Sequence, residues 1–288
     1  MNKKKIVLIT GTNSGFGWLT AKAVASYGHK VYATMRETNG KSAEKAKELS
    51  REENITVLDV NLTDDESVIK AIDTIISKEG TIDVLVNNAG AAMFGVVESA
   101  TPADVQRIFD INVIAPWRLM KSALPTMREQ SEGLIINITS GSGRFSFPFT
   151  AVYGASKFAL EGLSEGLHYE LRPLGVDVAI VQPGTFPTEL SKNTQSGSDT
   201  SVIGAYEVLT EIQKNFFSAV GQILENVNPN PQDVADAVVK LINTEKGQRP
   251  LRTVVDPTSG EFVKIANDTV KVEYAKTLAV YGMQDLLI

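Results

Sequence analysis

Three side chains near the middle of this 288-residue chain have the types and spacing needed for proton transfer. Ser140 ends an apolar run, Leu134 to Thr139, and Tyr153 and Lys157 follow after a loop broken by glycine and proline. Positions four apart on a helix lie one above the other on one face, so a helix opening near Tyr153 makes the phenol and the ammonium neighbours. A free phenol, with a pKa of about 10, is a poor acid or base at neutral pH. A cation beside it favours the phenolate and draws the pKa toward the working range. A serine hydroxyl arriving from the adjacent strand end holds a substrate oxygen in place. Together the three can move a proton on or off an alcohol oxygen. A buried tyrosine beside a surface lysine is the alternative that the same spacing allows, and the surrounding elements decide between them.

Those elements alternate. Lys5 to Thr10 is a short continuous apolar run, as expected of a strand covered on both faces, and Gly11, Gly15 and Gly17 lead from it into a helical pattern ending at Tyr27. Residues 28–36 form a second strand, a charged helix spans about 40–53, and residues 55–59 form a third strand. Thr63-Asp-Asp-Glu66 reads as a capping box with Thr63 as the cap, opening a helix that stops before Gly80. Residues 82–87 are a fourth strand, and Thr101-Pro102 starts a long helix to about Arg128. Strands at 134–139, 176–182 and 251–255 follow, with helices at about 153–171, 202–224, after Pro231 and over most of the tail from Pro257. The Ser/Thr/Gly/Asn-rich stretch 191–201 reads as a mobile loop.

This alternation predicts an α/β fold of the Rossmann type: a doubly wound parallel sheet of about seven strands with helices on both faces. No linker or repeat divides it, so residues 1–288 form one domain, with a substrate loop and helices at about 186–230 and a mostly helical extension at 257–288. Ligands of such sheets bind beyond the carboxyl ends of the strands. Gly11, Asn88, Ser140 and Pro183 all follow strand ends and so converge on one rim. Glycines let the backbone at 11–17 approach a pyrophosphate, and the helix N-terminus behind them offers free N–H groups and a positive dipole. An ordinary glycine turn is the rival reading.

Composition narrows the partners. The net charge of −6 argues against a nucleic-acid surface, which needs clustered cations. Lys3-Lys4-Lys5 reads as a solvated terminus, and no segment reaches the ~18 apolar residues that cross a bilayer. With no cysteine and only His29 and His168, disulfides, thiolate metal sites and histidine metal sites are not expected. The chain reads as soluble and cytoplasmic, with a small-molecule substrate and neither metal, nucleic acid nor membrane as a partner.

Ser140, Tyr153 and Lys157 at these spacings resemble the catalytic residues of the short-chain dehydrogenase/reductase family, and the glycine pattern at Thr10-Gly11-x-x-x-Gly15-x-Gly17 resembles that family's own. Phe16 departs mildly from the small aliphatic residue common there. The resemblance covers about residues 5–190 and implies an NADP(H)- or NAD(H)-dependent oxidoreductase. It implies that Gly11, Thr12, Asn13, Ser14, Gly15, Phe16 and Gly17 hold the cofactor phosphates. Asn88-Ala89-Gly90 matches the family's N-A-G motif on the adenine side, with Asp59 and Val60 at the end of the third strand beside it. Pro183, Gly184, Phe186 and Thr188 match the segment around the nicotinamide. Asn112 matches an asparagine in a proton relay through water; Pro116 cannot donate to its carbonyl four residues back. Family members that prefer NAD end the second strand with an acid for the ribose hydroxyl. Here Met35 and then Arg36 stand there, and a guanidinium pairs with phosphate, so NADP(H) is preferred and NAD(H) remains possible.

In that reading Tyr153 protonates a carbonyl oxygen as hydride arrives, Lys157 acidifies the phenol and binds the nicotinamide ribose, and Ser140 polarises the carbonyl. Met93, Phe94, Arg144 to Phe149, Phe186, Tyr206, Phe216 and Phe217 are candidates for a substrate wall, which suggests an apolar ketone, aldehyde or alcohol. Arg144 offers a partner for a substrate carboxylate, with a solvated arginine as the favoured rival reading. The helices at 101–128 and 150–171 lie where family members pair, implying a homo-oligomer, a dimer or tetramer. The rivals are an NAD-dependent alcohol dehydrogenase of the same family, a dehydratase or epimerase, and a catalytically silent dinucleotide-binding sensor.

Overall fold

Alternate residues of each strand face opposite layers of helices. The computed structural model describes residues 4–287, so Lys3 of the basic run lies outside the described residues. The strands are β1 (Ile6–Thr10), β2 (Lys30–Met35), β3 (Ile55–Asp59), β4 (Val84–Asn87), β5 (Gly133–Ile138), β6 (Val176–Pro183) and β7 (Arg252–Val255). They form one seven-stranded sheet in the order β3-β2-β1-β4-β5-β6-β7, every pair parallel. The helices are α1 (Gly15–Ser26), α2 (Ala43–Leu49), α3 (Asp65–Glu79), α4 (Pro102–Phe109), α5 (Ala115–Glu129), α6 (Ala151–Leu171), α7 (Glu189–Lys192), α8 (Thr210–Val227), α9 (Gln232–Asn243) and α10 (Gly260–Val280). Val7 and Ile9 face a core shared with Ala21 and Val24 of α1 and Val234 and Val238 of α9. Leu8 faces the opposite core, with Ile72 and Ile75 of α3 and Leu119 and Met120 of α5. Each such fully buried aliphatic side chain stabilises the fold by about 1.5–3 kcal/mol. The strand order reverses between β1 and β4, opening the crevice in which such sheets bind ligands.

Several local expectations change. The cap of α3 is Asp64, not Thr63, because the Thr63 hydroxyl is taken by Asn61 Oδ1 at 2.9 Å, and Asp64 accepts from the backbone N–H groups of Glu66 and Ser67. The helix expected at 40–53 shortens to α2, because Gly40 and Ser42 donate to the Glu37 carbonyl in a turn instead. The long helix from Thr101 runs as α4 and α5 joined by a π-turn, Asp110–Ile114, with Thr101 and Asp104 forming the box that caps it.

The stretch read as a mobile loop, 191–201, is tied down along its length. Gln195 donates to Ala92 O and accepts from Phe94 N, each at 2.9 Å, while Arg107 Nε reaches Gln195 Oε1 at 2.7 Å. The buried carboxylate of Asp104 accepts from Ser198 N and Oγ at 2.9 and 2.8 Å, as well as from Thr101 and Arg107. A Cβ on Gly197 would lie 2.2 Å from Ser99 Oγ, so only glycine lets this strap lie so close. Part of its polar composition serves specific bonds to α4, through Gln195 and Ser198. Among the described residues, no helix is long and apolar enough to cross a membrane.

Candidate active site

The carboxyl ends of β1, β4, β5 and β6 are adjacent in the sheet, and the glycine loop, Asn88, Ser140 and Pro183-Gly184 meet there. Gly11 has φ +68°, and a Cβ on it would sit 2.8 Å from Ala89 Cα. A Cβ on Gly17 would collide with Gly11 O at 2.2 Å and Asn88 Nδ2 at 2.4 Å. Asn88 Nδ2 donates to Thr10 O and Gly11 O, and Thr10 Oγ1 accepts from the backbone of Asn88 and Ala89. The N-A-G segment thus braces the glycine loop from below. Thr12 is a buried support, donating through N and Oγ1 to Thr34 O, whereas Asn13 is exposed. Ser14 precedes α1 without a side-chain cap bond. Gly15 (φ +54°) faces Thr188 across a gap that a Cβ would narrow to 3.5 Å.

Asp59 is engaged at the next turn. Its carboxylate accepts from Glu37 N, Thr38 N and Thr38 Oγ1 at 2.9–3.1 Å, and the Thr38 backbone bond holds it below its ordinary pKa. It therefore shapes the turn that presents the exposed Arg36, while the Glu37 side chain lies against Gly40. Val60 is a core residue, 1% exposed, leaving only its backbone at the rim. Phe186, placed by sequence on both cofactor and substrate sides, is buried edge-on against Phe16 at 5.4 Å, beneath the glycine loop. It is not part of a substrate wall.

On the other side of the crevice stand Ser140, Tyr153 and Lys157. Gly143 lets the Ser140 loop lie directly on α6: a Cβ there would be 2.9 Å from Glu161 Cγ and 3.3 Å from Lys157 O. Ser140 Oγ accepts from Ser142 N at 3.0 Å, leaving its own proton to donate. Tyr153 and Lys157 are both buried, with Lys157 Nζ 5.8 Å from the phenol ring centre. The expected acidification is not met by the chain's own groups. Burial pushes the Tyr153 phenol up, and contact with the Ser140 hydroxyl only partly draws it back. Lys157 Nζ instead donates to Ile138 O at 3.0 Å, and burial brings its pKa down to about 8 against the opposing pull of Glu161.

Asn112 sits in the π-turn, 1% exposed, accepting from Ala91 N at 2.8 Å and donating to Ala91 O and Ser156 Oγ at 2.9 Å. Its side chain thereby ties the N-A-G segment to α6 one residue from Lys157. Gly90 is exposed; a Cβ on it would close on Asn112 Oδ1 at 3.3 Å and Lys157 Nζ at 3.6 Å.

An aromatic wall stands over Tyr153. Phe94 meets the phenol edge-on at 6.4 Å and stacks on Phe217 at 5.7 Å; Phe216 continues the wall to Phe147 and Phe149, each at 6.3 Å. Met93 lies buried beneath Phe94. Besides Phe186, two candidates leave the wall: Tyr206 donates to Glu98 at 2.7 Å, and Arg144 is turned into the protein, bonded to Asn267 Oδ1 at 2.7 Å and paired with Glu161. That guanidinium is buried between Asn267 and Glu161, so it is not presented to a substrate. Glu161, Gln182, Arg252 and Asn267 form a buried polar cluster behind the Ser140 loop that sequence reasoning missed. Only Glu161, one helical turn past Lys157, carried a signal in its spacing.

The rim fits a dinucleotide. The N-terminus of α1 lacks a side-chain cap, the positive-φ Gly15 and the open Gly90 leave room along the crevice, and the buried Lys157 stands at its end. A doubly wound parallel sheet with this glycine-lined rim is the architecture of a dinucleotide-binding protein. The sequence matches the short chain dehydrogenase family over residues 5–199. It is 34% identical over 256 residues to the 3-ketodihydrosphingosine reductase of Bacteroides thetaiotaomicron, covering 88% of each chain. A solved short-chain dehydrogenase from Streptomyces avermitilis superposes with a TM-score of 0.78 at 32% identity, covering 97% of this chain and 98% of that one. Solved neighbours include a metagenomic short-chain oxidoreductase in complex with NADP (TM-score 0.68, 25% identity, 88% and 97% covered). A Burkholderia phymatum protein in complex with NAD (TM-score 0.75, 23% identity, 94% and 95% covered) shares the fold. The chain belongs to the short-chain dehydrogenase/reductase family. It is an oxidoreductase that acts on CH–OH groups with a nicotinamide cofactor.

Proposed function

We propose that this enzyme is an NADP(H)-dependent reductase of apolar ketones or aldehydes, or the corresponding alcohol dehydrogenase, with Tyr153 as the general acid and base. The observation that carries the reading is the burial of Tyr153 and Lys157 together at the strand rim under a wall of Phe94, Phe216 and Phe217. Apolar walls with few polar groups favour uncharged, apolar ligands, and Arg144 of the Ser140 loop is already paired inside the protein.

Gly11 to Gly17 and the N-terminus of α1 would hold the pyrophosphate, with Asn88, Ala89, Gly90 and the Val60 backbone along the adenine side. Pro183, Gly184 and Thr188 would line the nicotinamide end, and Arg36 would pair with a ribose phosphate. When bound, the cofactor supplies or accepts the hydride. Tyr153 gives its proton to the carbonyl oxygen, or takes it from the alcohol, while Ser140 donates a hydrogen bond that fixes and polarises that oxygen. Lys157 would contact the ribose, and its ammonium would oppose the burial that raises the Tyr153 phenol. The Asn112 side chain is spent on Ala91 and Ser156, which leaves its main-chain carbonyl to hold the water that returns the proton.

Exposed Trp117 on α5 and Phe158 on α6 support pairing of two copies through these helices. The composition supports a cytoplasmic location, which fractionation of expressing cells would check. Assay of a panel of apolar ketones and aldehydes by loss of NADPH absorbance tests the function. Tyr153→Phe should cut turnover by about a hundredfold or more, with NADPH binding retained by fluorescence. A Tyr153→Phe enzyme turning over near the wild-type rate rejects the mechanism, and binding without turnover of any substrate would favour a sensor.

A further inference from the structure

The mechanism leaves unused a cluster of charged groups buried directly behind it. Glu161, 2% exposed, follows Lys157 by one turn of α6. One of its oxygens accepts from Thr139 Oγ1 at 2.7 Å and Gln182 Nε2 at 2.9 Å; the other accepts from Arg252 Nε at 2.9 Å. Arg252 reaches on to Glu165 at 3.1 Å, and Arg144 of the Ser140 loop approaches Glu161 at 3.6 Å. Asn267 of α10 closes the ring, donating to Gln182 Oε1 and accepting from Arg144 Nε, both at 2.7 Å. The buried Nη2 atoms of Arg144 and Arg252 make no hydrogen bond. Two carboxylates and two guanidiniums are thus packed where an uncompensated charge is costly.

We propose that Glu161 is a positioning residue of this site: clamped by Thr139, Gln182 and Arg252, its carboxylate is the counter-charge that keeps Lys157 an ammonium in a dry pocket. This rests on the proposed roles of Tyr153 and Lys157. Tyr153 lies one turn before Lys157 on its helix and Glu161 one turn after, all three buried; Lys157 Nζ is held on the Ile138 carbonyl of β5 and Glu161 on the adjacent Thr139, with Asn112 beyond Gly90. Behind Glu161 stand Arg144, Arg252 and Glu165, with the neutral amides of Gln182 and Asn267. Glu161 is therefore the acidic side chain one turn from Lys157 on the same buried face, and the guanidiniums behind it fix its carboxylate in place. Burial works against the ammonium and Glu161 works for it. The fixed carboxylate also sets the seat of the Ser140 loop, since Gly143 rests on the Glu161 stem.

The test is the pH profile of kcat/KM for ketone reduction in Glu161→Gln, Glu161→Asp and Glu165→Gln, together with urea unfolding of each protein across the same range. Glu161→Gln keeps the shape and removes the charge, so the basic limb should move to lower pH by about one unit. The pH at which stability begins to rise should move with it. Glu161→Asp keeps the charge and should hold the limb near wild type even if kcat falls. Glu165→Gln, altering a partly exposed group, should move the limb the same way by less, and it decides the matter if Glu161→Gln does not fold. A fall in kcat with the limb and the stability curve unmoved overturns the inference. If Tyr153→Phe abolishes turnover while Glu161→Gln leaves the profile in place, this inference alone fails. If Tyr153→Phe is fully active, the mechanism beneath it fails.

Discussion

Lys157→Met isolates what the buried ammonium costs the fold. In the folded chain the group titrates at about 8 rather than 10.5, with burial as the principal cause. At about 1.4 kcal/mol per pH unit, that difference opposes folding by about 3 kcal/mol wherever the lysine is charged. The folded value is the lower one, so between about 8 and 10.5 the unfolded chain binds more protons, and wild-type stability rises with pH through that window. The penalty is fully present below it and gone above it. Methionine removes the penalty, but it leaves Ile138 O without its donor, at a cost of about 1–3 kcal/mol. The variant should therefore lie within about 2 kcal/mol of wild type at neutral pH. The informative quantity is the difference between the two proteins, measured by urea unfolding at a series of pH values. Wild type should gain about 3 kcal/mol on the variant across the window. Two curves that stay parallel within about 0.5 kcal/mol would refute the assignment of a buried, depressed Lys157.

Arg36→Ala should reduce kcat/KM with NADPH by about tenfold or more and leave NADH nearly unaffected, because one charge-assisted contact to phosphate is lost; an unchanged NADPH-to-NADH ratio rejects the assignment. Asp104→Asn removes the charge that gathers Ser198, Thr101 and Arg107, so limited proteolysis should cut within 193–199 faster than in wild type, and equal rates would show that the strap is held by other bonds. Light scattering should give a particle heavier than 31.1 kDa, falling toward that mass in Trp117→Glu; a wild-type monomer at micromolar concentration rules out the pairing.

What could be read from sequence divides by distance along the chain. Strands such as Val176–Pro183, buried at every position because both faces are covered, were visible as largely apolar runs despite Asp177 and Gln182, and their alternation with helices set the topology. Tyr153 and Lys157 were visible because a helix converts a spacing of four into contact. Thr63 misled because two adjacent residues can both cap and a third, Asn61, chose between them. The polar composition at 191–201 looked like solvent-facing loop; its partners Asp104 and Ser99 lie about ninety residues away, where no local pattern reaches. Arg144 looked available because its acceptor, Asn267, is 123 residues on. The phenol's acidity failed as an expectation for another reason: spacing specifies proximity and says nothing of burial, and burial raised Tyr153 and lowered Lys157 together.

The bond from Arg144 to Asn267 also orders events in time. A ribosome delivers Ser140, Tyr153 and Lys157 more than ninety residues before Arg252 and Asn267, at about 5–20 residues per second. Until that last stretch emerges, Glu161 and Arg144 have neither the strand-edge arginine nor the α10 amide to complete their ring, and the turn after Ser140 lacks its backing from Val263. The nascent chain can assemble the sheet from β1 to β6 while Glu161 on α6 and Arg144 in the loop before it are still half-paired on a surface destined for the interior. Docking of α10 is therefore a step that completes the backing of the site. Chaperone-dependent delay or truncation at the carboxyl end would act on activity before it acted on the sheet.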